Sequence, residues 1–277
     1  MIRQVIAISV GAILLSVAGL ASASPQSDQK AFQNYFLKRF PNVKKDDFVN
    51  GPYPFDPGGR AQWKQIMEFP PYEFAVSEGK TLFETPFKNG KKYAGCFPNG
   101  GIGVAQNYPI FDAKKGKVVP LEVAINDCRT KNGEKPYPWG KGKLAEISAY
   151  MTSTSDGKPF DVKVEGKDAE AAYENGKRVF FTRRGQLGFS CASCHMEQAS
   201  RQLRGQILGP AYGLIASFPV YRSKWGDIGT VDRRFAGCFG KVRASAPPMQ
   251  SETFRDLQYY LTYMSNGLPV SGPGARP

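Results

Sequence analysis

The sequence predicts a mainly α-helical protein whose two halves arose by duplication. Three observations carry this. A Gly-Lys-x-apolar-Phe pattern occurs twice, as Gly79-Lys80-Thr81-Leu82-Phe83 and Gly176-Lys177-Arg178-Val179-Phe180. Cysteines follow each copy in the same order, Cys96 then Cys128 in the first and Cys191, Cys194 then Cys238 in the second. Each copy then closes on a helical segment with matching Leu, Tyr and Met: Leu144, Tyr150 and Met151 against Leu257, Tyr263 and Met264.

Along the chain, residues 1–23 read as an export signal. Arg3 supplies the basic start, residues 5–20 are almost wholly apolar, and Ala21-Ser22-Ala23 is a small-residue cleavage site. The apolar run is short for a spanning helix, and no later stretch is apolar enough to cross a membrane. The mature chain is therefore expected to start near Ser24 and to work in the periplasm, with no membrane span after cleavage.

Residues 24–30 are polar and expected to be loose. Phe32, Phe36 and Phe40 recur at helical spacing in residues 31–40, and Pro41 ends that helix. The Pro-, Gly- and Asp-rich stretch 41–71 is expected to be mostly irregular. The first domain is expected to run over 24–155 and the second over 156–277, with the polar stretch 152–164 linking them. In the second closing helix Phe254, Leu257, Leu261 and Met264 share one face. Ser251 is placed to cap its start and Gly267 to end it. The glycine in the helix leading to the heme motif, Gly176, would let the closing helix cross closely.

The formal net charge is +13, of which the leader holds only Arg3. Such a surface attracts anionic small molecules or acidic protein partners. No nucleic-acid recognition motif accompanies it, and export argues against a nucleic-acid partner.

Cys191-Ala192-Ser193-Cys194-His195 is the covalent heme motif C-x-x-C-H: two thiols add to the heme vinyl groups, and the adjacent His supplies an axial nitrogen to iron. A redox dithiol would need a different fold context, and a zinc site lacks nearby ligands. His195 is the only histidine, so one covalently bound heme c is expected and bis-His ligation is excluded. The fold class is then two cytochrome c-like domains, the first without heme.

The distal ligand is open between Met249 and Cys238. The duplication argues for the cysteine. Cys96 and Cys128 stand where Cys191/Cys194 and Cys238 stand, so in a half that has lost its heme they could oxidise to a disulfide. Of five cysteines, two would then be paired and two on heme, leaving Cys238.

On these residues the chain resembles the A subunits of SoxAX, the cytochrome of bacterial thiosulfate oxidation. The resemblance also rests on Cys96-Phe97-Pro98-Asn99-Gly100, Trp225-Gly226-Asp227-Ile228-Gly229-Thr230 and Arg234-x-x-x-Cys238, and it spans nearly the whole mature chain. It looks like the single-heme form, because the diheme form would carry a second C-x-x-C-H where Cys96 stands. The resemblance implies His195 as proximal ligand and Cys238 as distal ligand and sulfur-handling group, able to carry a persulfide. It implies that Arg234 holds the anionic substrate, and it leaves the role of Arg233 open. The implied activity is L-cysteine S-thiosulfotransferase: thiosulfate is joined to a cysteine of the carrier SoxYZ. The implied electron path runs to the small cytochrome subunit SoxX and on to a downstream electron-accepting cytochrome. The competing reading is a plain electron carrier ligated by His195 and Met249.

Overall fold

In a computed structural model, residues 24–276 are described; the expected leader, 1–23, lies outside the described residues. Helix α1 (Pro25–Arg39) starts at once. Ser24 caps it, its hydroxyl oxygen accepting from the Ser27 amide at 3.2 Å, and Pro25 is pre-set for a first helical position. The stretch expected to be loose is therefore helical, and it is pinned by contacts distant in sequence. Asp28 pairs with Lys177 and accepts from the Tyr173 hydroxyl at 3.0 Å, while Gln29 donates to the Tyr263 carbonyl at 2.5 Å. Phe32 and Phe36 bury as their spacing predicts, in the core of the second half.

The stretch 41–71 is also more ordered than expected. Tight helical turns at Lys45–Asn50 and Tyr53–Phe55 lead into α2 (Pro57–Ile66). Pro57, Gly58 and Gly59 fall in its first turn, where amides lack intrahelical partners and breakers do little harm. Asp56 caps it by accepting from the Gly59 amide at 2.9 Å.

The duplication is then explicit. The first half runs α3 (Glu73–Glu84), an antiparallel hairpin of β1 (Ile110–Asp112) and β2 (Lys117–Val119), α4 (Leu121–Lys131) and α5 (Lys143–Ser153). The second runs α6 (Lys167–Phe181), a small hairpin of β3 (Gln202–Leu203) and β4 (Gln206–Ile207), a pair β5 (Val220–Arg222) and β6 (Asp227–Gly229), then α7 (Val231–Lys241) and α8 (Glu252–Met264). Registers match: Ile110 faces Val119, and Val220 faces Gly229. Strand β7 (Gly274–Arg276) adds parallel to β5.

The opening and closing helices of the second half cross at Gly176, as predicted, and those of the first half do the same at Gly79. A Cβ on Gly79 would lie 2.0 Å from the Glu146 carbonyl oxygen, and one on Gly176 would lie 2.0 Å from that of Asp256. Only glycine permits such backbone approach. Phe254, Leu257, Leu261 and Met264 are all buried, as their periodicity requires. Ser251 sits at the N-cap of α8, but its side chain makes no capping bond. Gly267 takes φ +80° just beyond the helix end. The stretch 152–164 is no free linker: Phe160, Val162 and Val164 are buried, and the Phe160 amide donates to the Leu268 carbonyl at 2.9 Å. Among the described residues no helix is long and apolar enough to cross a membrane.

Candidate active site

The C-x-x-C-H segment follows α6 through a loop and ends in a single helical turn, Ser193–Glu197. Two serines lock its start reciprocally. The Ser193 amide donates to Ser190 Oγ at 3.0 Å, and the Ser190 amide donates to Ser193 Oγ at 3.2 Å. His195 Nδ1 lies 2.8 Å from the Gly209 carbonyl oxygen; a carbonyl only accepts, so Nδ1 carries the proton and Nε2 keeps its lone pair. Burial lowers the His195 pKa to about 4, so the ring is neutral, the form an iron ligand needs. Burial pushes the Cys191 thiol up to about 11. The Arg184 guanidinium opposes this from 3.7 Å and also lies over the Phe239 ring of α7 at 4.7 Å, tying the motif to that helix.

Helix α7 carries Arg234, Cys238 and Lys241 at i, i+4 and i+7, on one face. That face looks onto the heme motif. Burial, then Cys238, raises the Cys194 pKa against Lys241 and Arg234, and the same two cations act on His195. Arg222, buried on β5, is brought down to about 10 by burial and then by Arg234. Lys241 is lowered by burial first and Arg234 second, with Arg222 and Lys224 adding to the effect. Cations thus converge beside Cys238. Neighbouring Arg233 belongs to another cluster: it pairs with Asp227 at 2.5 Å and stacks over Trp225 at 4.4 Å.

Met249 points elsewhere. Its Sδ packs so closely on Gly140 that a Cβ there would come within 2.6 Å of the sulfur. Cys96 and Cys128 form a disulfide, with Cα atoms 5.8 Å apart, and the Asn132 side-chain amide lies 3.6 and 3.8 Å from the two sulfurs. Cys191, Cys194 and Cys238 are free, the set the cysteine arithmetic requires.

The residues fit a covalent heme. Two free thiols stand beside a histidine whose Nε2 is available. Apolar side chains left exposed around the motif suit an apolar macrocycle: Phe181 at 46 %, Leu187 at 38 %, Phe189 at 45 % and Leu203 at 48 %. Cys191 and Cys194 would hold the heme, and His195 would ligate its iron. Sequence reasoning missed Arg184, Arg222 and Lys241. Only Lys241 left a signal, its helical spacing from Cys238.

Fold and site together define a c-type cytochrome. The SoxA/TsdA cytochrome c domain profile matches residues 78–160 and 175–270. The L-cysteine S-thiosulfotransferase subunit SoxA of Chlorobaculum tepidum is 54% identical, covering 90% of this chain and 87% of its own. Its counterpart from Allochromatium vinosum is 49% identical, covering 95% and 94%. The crystal structure of SoxXA from P. pantotrophus superposes with a TM-score of 0.72 at 28% identity, over 78% of this chain and 84% of that one. The chain belongs to the SoxA/TsdA cytochrome c family, and its cofactor is a covalently bound c-type heme.

Proposed function

We propose that this chain is a heme-dependent L-cysteine S-thiosulfotransferase subunit, joining thiosulfate to a cysteine of a SoxYZ-type carrier in the periplasm. Its relatives bear that enzyme name. The observation that carries the reading is the face of α7 that turns Arg234 and Cys238 toward the heme motif while Met249 packs against Gly140. The competing His195/Met249 electron carrier would need that methionine on the heme side.

Overall, the carrier thiol loses its proton, an S–S bond forms to the outer sulfur of the thiosulfate dianion, and two electrons leave. Arg234 offers paired N–H donors matched to sulfonate oxygens and fixes the substrate's charged end. Cys238, one turn further on, supplies the sulfur that meets the substrate's outer sulfur. His195, oriented by Gly209, and Cys238 would hold the heme iron. The heme, when bound, supplies a redox centre through which electrons reach a SoxX-type cytochrome subunit, and from there a downstream cytochrome. We assign 24–155 to a heme-less domain and 156–277 to the heme domain, with α1 reaching across onto the latter.

Electron paramagnetic resonance and optical absorption spectra of the ferric holoprotein test the ligand set. Low-spin thiolate signals are expected. A sulfur–iron charge-transfer band characteristic of methionine ligation would overturn the reading.

A further inference from the structure

Arg234 is not the sole cation on the face of α7 that bears Cys238. Lys241 lies one turn past the cysteine, as Arg234 lies one turn before it, so the two flank the sulfur along a single helical stripe. Among the described residues neither forms an ion pair, although Arg233 next door is paired with Asp227. Arg222 and Lys224 add further positive charge. Arg234 and Lys241, like charges on either side of one sulfur, cost stability until an anion joins them.

The ordinary explanation of Lys241 is a cation at a helix C-terminus, stabilised by the helix dipole. The molecule contains its own control for that role. Lys131 is the last residue of α4, three positions after Cys128, as Lys241 is the last residue of α7, three after Cys238. The position before the cysteine differs, however: Ala124 stands where the second half has Arg234. A dipole role applies equally to both lysines; an anion-holding role applies only to Lys241.

We propose that Lys241 is a second substrate-binding residue, holding a dianion from the solvent side of Cys238 while Arg234 holds it from the other, so that the site selects divalent over monovalent oxyanions. The proposal rests on the reading of Cys238 and Arg234 given above. Arg234 fixes orientation through its planar fork. Lys241, exposed and flexible, acts as a point charge that captures the dianion as it enters. Its contribution is to binding rather than to the chemical step, so it moves KM more than kcat.

The test titrates holoprotein with thiosulfate in the absence of carrier, where no turnover occurs, and follows heat and the anion-induced rise in Tm. In Lys241→Gln the affinity should fall about fivefold, the scale of one partly screened charge contact, with a smaller dependence on ionic strength. Lys241→Arg should recover most of it, and Lys131→Gln should bind as the unaltered protein does. In turnover with carrier, Lys241→Gln should raise KM about fivefold and leave kcat within about twofold. Unchanged affinity in Lys241→Gln, or an equal loss in Lys131→Gln, would overturn the proposal while leaving the enzyme reading intact. If Arg234→Ala also binds thiosulfate normally, the reading of the whole site fails with it.

Discussion

The two halves share a scaffold down to the residue at which their helices cross, yet they present different chemistry at the same place. Helices α4 and α7 each follow a two-stranded turn and each carry a cysteine at the eighth helical position, Cys128 and Cys238. In the first half that cysteine closes on Cys96, and Phe83, Phe87, Tyr93 and Phe97 pack the core around it. In the second the cysteine is free, and Arg234 and Lys241 flank it. The fold therefore supplies a position opposite the first cysteine, and the side chains grafted there decide whether it becomes a staple or a free thiol among cations.

The sharpest way to break this comparison is to remove each sulfur in turn. Cys238→Ala should lower thiosulfate conjugation by about 10³-fold or more, as loss of a reacting group does, while Tm changes little. Full conjugation by that variant would exclude Cys238 as the reacting sulfur. Opening the Cys96–Cys128 bridge with Cys96→Ser and Cys128→Ser should do the reverse. The closed loop has a sequence separation of 32, which predicts about 3.7 kcal/mol of lost stability. Denaturant melts would measure it, and turnover per folded molecule should be retained.

Much of this contrast was legible in the sequence because it is written in spacing. Repeated landmarks exposed the duplication, and a lone His195 after two cysteines fixed the heme site. The N-terminal region was not legible for a physical reason. Phe32 and Phe36 report that a helix face is buried, but not against which half, and the choice is made by Asp28 and Gln29 reaching Lys177, Tyr173 and Tyr263. Helix α2 was hidden by Pro57, Gly58 and Gly59, which break a helix interior but not its first turn. The choice between Met249 and Cys238 was open because chain distance carries no direction. The packing of Met249 on Gly140 favours the cysteine.

The shared crossing predicts equal sensitivity in the two halves. Gly79→Ala and Gly176→Ala each push a methyl group into backbone, so each should cost about 1–3 kcal/mol. Only Gly176→Ala should disturb the heme spectrum, because α6 leads into the C-x-x-C-H segment. A spectral change in Gly79→Ala instead would mean that the halves are mechanically coupled through their interface.

That interface holds the smallest predicted effect. Glu122 and Asp232 occupy the same second position of α4 and α7, and both are buried. Ser148 donates to Glu122 at 2.8 Å, and the Gln250 amide donates to Asp232 at 2.9 Å. Burial raises the Glu122 pKa; burial, then Glu122, raises that of Asp232 to about 7, against the Gln250 hydrogen bonds and the Arg255 charge. An acid whose pKa rises on folding keeps its proton longer in the folded state. Its contribution is therefore fully present below the unfolded value of 3.8 and is lost as pH climbs through about 7. Asp256, raised to about 6, acts in the same direction, while His195, lowered from 6.5 to about 4 by burial, partly opposes them as pH rises from about 4 to 6.5. Tm should thus decline between about pH 5 and 8, by an amount worth on the order of 1–2 kcal/mol. Asp232→Asn should flatten that decline and raise Tm at the alkaline end, because a neutral amide has no proton to lose. An unchanged pH slope in Asp232→Asn would show that this carboxyl keeps the same ionisation on folding and that the interface is open to solvent.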